Sequence, residues 1–318
     1  MPSLQDPIFR LDPLPSPPVP LPQVPGPKLA PFTPTAHAYI EFVKNLGRPN
    51  DQDSQAWKVK INNEGPYALK IFYFLPWEYL KTAPGKYLTR PLATPQLYVD
   101  YVDPFQCECR AYGRIKHENR EDLAVKAYGY LLLTPEQEAE VAKRIGATRG
   151  TDMKNIADTL FELSFKEFIT DYEPFSITDI PRLWSDLEEL DKLGILVRDF
   201  HIGNYLGGKI IDFSRSWTMY HPCLHQIPPS VLQEIRQSDA SGLWDILYAW
   251  SNEYPRKQIA APEDLDYCTN TLGDDCGYDP RTYDWRRWEE DEETADEYVA
   301  NKLFTDWGSF RRIFGPRP

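Results

Sequence analysis

The sequence has no long apolar run; nowhere does it approach the roughly 18 consecutive apolar residues that a membrane-spanning helix needs. Nor does it open on the charged start and apolar core of a secretory signal, so cytosol or nucleus is the expected compartment. Cysteine is scarce. The five present, Cys107, Cys109, Cys223, Cys268 and Cys276, are odd in number and lack the paired C-x-x-C spacing of a zinc site, which reads as free thiols in a reducing environment. Positive charge is short too: 35 Lys and Arg against 48 Asp and Glu leave a net charge of -13. That balance disfavours direct binding to nucleic acid or to an anionic membrane, both of which reward clustered Lys and Arg. A role at chromatin would have to run through protein partners.

What is present points to a folded chain. With 318 residues, 42% of them hydrophobic and 14% aromatic, the protein can bury a substantial core, and one two-lobed domain is the economical reading. Residues 1–36 stand apart because they are crowded with proline, notably from Asp12 to Pro27. Proline removes backbone donors and favours an extended chain, so this segment reads as a disordered, solvated leader; its P-x-x-P spacings suit an aromatic-lined groove, but no role is assigned to it.

The most informative stretch is Ile195-Leu-Val-Arg-Asp199-Phe-His201-Ile-Gly-Asn204-Tyr-Leu-Gly-Gly-Lys-Ile-Ile-Asp212-Phe-Ser214. It resembles the phosphoryl-transfer loop of protein kinases, in which a first Asp accepts the proton of the attacking hydroxyl, while an Asn and the Asp of a D-F-G turn hold magnesium on the nucleotide phosphates. Those roles fall to Asp199, Asn204 and Asp212. Upstream, Leu183, Trp184, Leu187, Leu190 and Leu193 have the spacing of an amphipathic helix that Gly194 can end. Downstream, Gly207-Gly208 between two short apolar runs predicts a hairpin that brings Asn204 and Asp212 back together.

Two further pieces of the kinase pattern lie earlier. Tyr67-Ala-Leu-Lys70 is similar to the V-A-I-K strand whose lysine contacts the α and β phosphates. Glu108, on a predicted helix with Phe105, Cys109 and Tyr112 along one side, is the residue to orient Lys70. Strands are expected at Tyr39–Val43, Trp57–Ile61, Leu123–Leu133 and Thr159–Ile169, with a helix opening at Thr134-Pro-Glu-Gln137. The last strand ends where a kinase hinge would hold adenine through its backbone, which makes Lys166, Glu167 and Phe168 the candidates. The pattern is incomplete. A kinase carries G-x-G-x-x-G over the phosphates, whereas Leu46–Ala56 keeps one glycine and two aspartates; Val197 stands where kinases have His, Ser214 where they have Gly, and no A-P-E motif follows.

The spacing Asp199-x-His201-x-x-Asn204 also resembles the D-x-H-x-x-N loop of aminoglycoside and choline kinase-like enzymes, which phosphorylate small molecules. His221 and His225 could share a helical face as metal ligands, but Pro222 between them argues against the helix. Val231–Trp250 reads as one C-terminal-lobe helix interrupted by Gly242. Tyr283–Tyr298 alternates aromatics with a dense acidic run and reads as a solvated helix face.

Taken together, Asp103-Pro-Phe-Gln-Cys-Glu-Cys-Arg-Ala-Tyr-Gly-Arg, the Lys70 strand and the Asp199–Ser214 loop resemble a fungal family named for the Fta-two subunit of the Sim-four kinetochore complex, over about residues 38–220. The Asp-Pro-Phe-x-x-Glu-Cys-Arg-Ala-Tyr-Gly segment is its distinctive part. The resemblance implies a protein-kinase-like fold and a place at the inner kinetochore. The expected fold is α+β, two-lobed, with a small antiparallel N-lobe sheet and a reduced helical C-lobe. Its parts are a leader (1–36), an N-lobe and hinge (37–169), a C-lobe (170–260) and an acidic aromatic extension (261–318). The expected function is that of a pseudokinase acting mainly through protein partners and able to bind Mg-ATP; the alternative is an active phosphotransferase on a protein or small-molecule hydroxyl.

Overall fold

A computed structural model describes residues 9–11, 21, 24–32, 38–47, 53–73, 75, 77–132, 162–167, 180–239, 242, 278–289 and 291–304. The fold is α+β, and its contacts divide the chain into two compact units. One holds the strands up to residue 167 together with residues 29–32. The other holds residues 24–28, residues 77–124 and everything described from residue 180 onward.

The first unit is an antiparallel sheet of six strands: β1 (Phe9–Leu11), β2 (Ala38–Asn45), β3 (Ser54–Ile61), β4 (Glu64–Phe72), β5 (Ala127–Leu132) and β6 (Glu162–Glu167), in the order β1-β2-β3-β4-β6-β5. Alternation sets the buried face: Ile40 and Phe42 of β2 and Trp57, Val59 and Ile61 of β3 are buried, and the rings of Phe42 and Trp57 meet edge to face at 5.3 Å. Asn62 and Asn63, both at positive φ, make the tight β3–β4 turn. Lys70 sits on inner strand β4, paired with Ala56 on one side and Ser164 on the other. The strand expected from Leu123 is shorter, because residues 121–123 turn and bend, Ala124 makes only an isolated bridge to Ile210, and β5 begins at Ala127. The helix expected at 134–137 lies outside the described residues.

The proline-rich leader is not wholly a solvated tail. Phe9–Leu11 pairs with β2 at one sheet edge, and at the other Pro31 bridges to Tyr130, with Phe32 N–H donating to Tyr130 O at 2.8 Å and Tyr130 N–H to Ala30 O at 3.2 Å. An exposed sheet edge demands partners, and a chain already held extended by proline supplies them wherever a non-proline N–H remains. Gly129, at φ +153°, is the residue that permits this approach, since a Cβ there would lie 2.6 Å from Phe32 N.

The second unit begins with residues 24–28, followed by helices α1 (Trp77–Leu80), α2 (Pro95–Val102) and α3 (Pro104–His117). Asp103 starts α3: its carboxylate accepts the N–H groups of Phe105 at 3.0 Å and Gln106 at 3.3 Å, and Pro104 occupies the first helical position. Every residue of α3 from Pro104 to Ile115 is buried, so its start cannot fray into water. Asp103→Ala should cost about 1–2 kcal/mol in urea unfolding, and Asp103→Asn, which keeps an acceptor, clearly less.

The remaining elements are α4 (Ile180–Lys192), β7 (Ile195–Leu196), a 3₁₀ turn (Ile202–Asn204), the hairpin β8 (Tyr205–Leu206) and β9 (Lys209–Ile210), β10 (Trp217–Thr218) and α5 (Pro222–Gln226). After them come a helix over 229–239 and, near the end, α6 (Glu292–Glu297), which continues into a π turn. Leu183, Leu187 and Leu190 form the buried stripe of α4 and Gly194, at φ +70°, closes it, as the spacing predicts. Pro222 does not prevent a helix. It opens α5 at the first position, where no intrahelical donor is needed, and His221 caps it by accepting Cys223 N–H on Nδ1 at 3.2 Å.

The expectation of a solvated C-terminal helix face holds for its acids and fails for its aromatics. Trp285 is buried 4.7 Å from the Tyr220 ring, Trp288 meets His117 edge to face at 4.6 Å, and Tyr283 lies under the Arg114 guanidinium at 4.0 Å while donating to Glu118 Oε1 at 2.7 Å. Ala295 and Leu303 are buried as well. The dense charge in the sequence hides an apolar strip that covers the C-terminal half of α3. Cys107, Cys109 and Cys223 are buried thiols in no disulfide, and burial pushes those of Cys107 and Cys223 up to about 12.

Candidate functional site

The predicted loop residues are brought together by two short antiparallel pairings. β7 pairs with β10, Trp217 opposite Leu196 and Thr218 opposite Ile195, and this fixes where the chain leaves Val197 for Arg198 and Asp199. The β8–β9 hairpin closes through Gly207 and Gly208, both at positive φ, and Ile211 N–H donates to Asn204 O at 2.9 Å. Asn204 and the residue before Asp212 are therefore hydrogen-bonded neighbours, as the double glycine predicts. Asn204 Nδ2 also donates to Asp199 O at 2.8 Å, joining the first Asp to the Asn directly.

Asp199 itself is half exposed, with His201 Nε2 at 3.9 Å from its carboxylate. His201 works on its own loop: Nδ1 accepts Gly203 N–H at 3.0 Å. Asp212 Oδ1 accepts Ser214 N–H at 2.8 Å, an Asx-type turn that fixes the carboxyl plane. Phe213 is buried against Tyr112 of α3, ring centroids 5.1 Å apart, and Tyr112 Oη donates to Ile211 O at 3.3 Å. Burial raises the Tyr112 hydroxyl well above its ordinary range, with the carboxylates of Glu108 and Asp212 adding to the effect. Glu108 is fully buried on the same helix.

Lys70 and Glu167 lie in the first unit, on neighbouring strands in which Tyr67 is paired with Glu167. Lys70 is buried, its ammonium 4.8 Å from the Phe72 ring. Phe168 lies outside the described residues. Where kinases place glycine-loop amides over phosphate, Leu46 and Gly47 N–H groups both bond to Ala56 O, at 2.8 and 3.2 Å, and Gly47 N–H is shared with Asn45 Oδ1. Those donors are already spent.

Sequence reasoning missed the group that holds the loop. Asp239, at the end of the helix over 229–239, accepts Arg198 N–H on Oδ2 at 3.0 Å and Phe200 N–H on Oδ1 at 3.2 Å. The two amides flank Asp199, and Arg198 adopts φ +71°, a conformation a non-glycine residue keeps only when its surroundings impose it. The Arg198 guanidinium lies 3.6 Å from the Trp217 ring centroid and donates to Arg215 O at 3.2 Å, which secures the same residue from its side chain. Gly242 backs the loop: a Cβ there would lie 1.8 Å from Phe200 O. A signal was present, because Leu232, Ile235, Asp239 and Gly242 follow helical spacing, so that an acid interrupts an apolar stripe.

Beneath the loop a small pocket is lined by Trp184, Leu187, Asp191, Leu196, Arg236 and Asp239. Burial pushes the Asp239 carboxyl up to about 6, against the pull of its two amide donors, and the Asp191 carboxyl up to about 7 although Arg236 donates to it.

Among the described residues no group of three or more His, Cys, Asp and Glu side chains is placed to hold a metal ion. The kinase pattern asks for less, one amide oxygen and one carboxylate, which are donor types suited to a hard cation; Nδ2 of Asn204 is engaged by Asp199 O, so the side-chain oxygen is the atom that Asn204 could offer a metal. No described helix is long and apolar enough to cross a membrane.

A family model described as Kinetochore Sim4 complex subunit FTA2 matches residues 17–217. The chain belongs to that family. The FTA2 match begins inside the leader, earlier than the resemblance suggests, and so takes in the packed residues 24–32; it contains Lys70, Glu108, Asp199, Asn204 and Asp212 and stops at β10, short of Asp239 and Gly242. No curated protein matches the chain.

Proposed function

We propose that the protein is a kinetochore subunit with a two-lobed, protein-kinase-like fold, acting mainly through protein partners in the nucleus at centromeres. The family match carries the kinetochore role. Support for the kinase-like reading comes from Lys70 on an inner strand of an antiparallel sheet, the α3 helix that follows, and the loop in which Asn204 is tied to Asp199 and, through Ile211, to the Asp212 turn. In this reading Asn204 and Asp212 hold magnesium on a nucleotide, Lys70, oriented by Glu108, meets its phosphates, and the backbone around Glu167 and Phe168 meets its base. The observation that favours a pseudokinase is that, among the described residues of this loop, the Leu46 and Gly47 amides are bonded to Ala56 O and are not turned toward a phosphate.

A second reading, an active phosphotransferase on a protein or small-molecule hydroxyl, draws on the half-exposed Asp199 carboxylate, which is open to an incoming hydroxyl. Thermal unfolding with and without Mg-ATP separates the readings from a bare scaffold. Near-saturating Mg-ATP is expected to raise the wild-type Tm by a few degrees, with the rise lost in Asp212→Asn. No shift in either protein removes the nucleotide from the account. Phosphate transfer that disappears in Asp199→Ala installs the second reading instead.

A further inference from the structure

Two arginines of the distinctive α3 motif have a role that the kinase pattern leaves unassigned. Arg110 and Arg114 are buried, and the hydrogen bonds they make run from Arg110 Nη2 and from Arg114 Nη1 and Nη2 to backbone carbonyls, while Arg110 Nε and Nη1 and Arg114 Nε meet no acceptor. Arg110 Nη2 donates to Thr218 O at 2.7 Å and to Tyr220 O; Arg114 donates from Nη2 to Met219 O and from Nη1 to Leu193 O at 2.8 Å. Desolvating a guanidinium is costly, and here the compensation is a set of four carbonyl dipoles, one of them at the C-terminal end of α4. Arg114 spreads its two bonds over two nitrogens of one rigid plane, a separation that the single nitrogen of a lysine does not reproduce, and Arg110 adds its guanidinium face over the Tyr101 ring at 4.7 Å.

These carbonyls belong to the chain that sets the loop. Thr218 is in β10, paired with β7, and Met219 N–H donates to Gly194 O at 2.8 Å, so the hooked segment is bonded to the strand that delivers Asp199. The same helix grips the other end of that segment, because Tyr112 donates to Ile211 O and packs on Phe213. From one rigid helix, Tyr112 therefore fixes the approach to Asp212 and the two arginines fix the return strand beside Asp199.

We propose that Arg110 and Arg114 are positioning residues that set the placement of Asp199 relative to Asp212 by clamping the β7–β10 pair. This deepens the magnesium-site reading above and rests on it for its meaning, but not for its test. Hydrogen exchange is followed at Arg198, Phe200, Asn204 and Ile211, whose N–H groups are all bonded in the loop. Arg110→Lys and Arg114→Lys are compared with Leu80→Ala, a buried change in α1, at urea concentrations that equalise global stability. The proposal expects these amides to exchange about tenfold faster in the arginine variants than in the control, and equal exchange at matched stability overturns it. If Arg110→Lys does not fold, Arg114→Lys alone decides. Uptake of Mn²⁺ is read in parallel. Wild type that takes up no Mn²⁺ sinks the metal reading and leaves the exchange comparison to decide the clamp by itself, whereas Asp212-dependent uptake that weakens about tenfold in the lysine variants and not in Leu80→Ala supports both.

Discussion

Gly242→Ala is expected to destabilise the second unit by roughly 3 kcal/mol or more, the upper end of what one added methyl does in a packed interior. The added Cβ would fall 1.8 Å from Phe200 O, and a backbone carbonyl cannot rotate out of the way as a flexible side chain can. Relief requires moving Phe200 or the helix, and Phe200 N–H is held by Asp239, whose other carboxylate oxygen holds Arg198 in its left-handed conformation. The strain therefore passes to the residues on both sides of Asp199. Urea unfolding should show a large loss of midpoint at unchanged slope in any protein that still folds, with a loss of protection at Arg198 and Phe200. A Gly242→Ala protein of wild-type stability would show that this packing is not as described.

The second large effect is a pH linkage at Asp191. Its folded carboxyl is raised to about 7 by burial against an ordinary unfolded value near 4, so the folded state binds the proton more tightly. The sign follows: charged Asp191 costs stability at neutral pH, and that cost is relieved as pH falls through the folded value toward the unfolded one. Other groups move in the same window. Asp239, raised to about 6, adds to the gain on acidification; His221, buried neutral and held well below its usual value, opposes it because the unfolded chain takes up that proton first. The clean observable is a difference. Between pH 7.5 and pH 5, wild type should gain roughly 2 kcal/mol relative to Asp191→Asn, whatever the offset from leaving Arg236 without its charged partner. A difference that stays flat across that range would mean that Asp191 titrates as a solvated acid.

Local signals carried much of this architecture. The Leu stripe of α4, the glycine that ends it, the double-glycine hairpin, the Lys70 strand and the helix bearing Glu108 could be read because each depends on spacing within a few residues. What stayed hidden depends on partners distant in sequence. Asp239 reaches back across 41 positions to hold Arg198; the apolar stripe it interrupts marks it as an inward-facing acid but does not say which amides it meets. The burial of Arg110 and Arg114 has no local signal either, because the carbonyls they bond belong to Leu193 and to residues 218–220, far along the chain. The leader misled for a different reason: proline density argues for an extended chain, and extension is compatible both with solvation and with lying along a sheet edge. In the C-terminal segment the acids outnumber the aromatics, so the net pattern reads polar although Trp285 is buried.

The central claim, that this FTA2-family protein serves the kinetochore by assembly and not by turnover, is tested most directly in its native cells. The chromosomal copy is replaced by Asp199→Ala, and the tagged protein is imaged while chromosome loss is scored. The account predicts that the variant concentrates at centromeres like wild type and that chromosomes segregate at the wild-type rate, because the substitution removes the carboxylate and retains the backbone carbonyl that Asn204 grips. Normal centromeric signal with a sharp rise in chromosome loss would contradict it and make the carboxylate, hence phosphate transfer, the function.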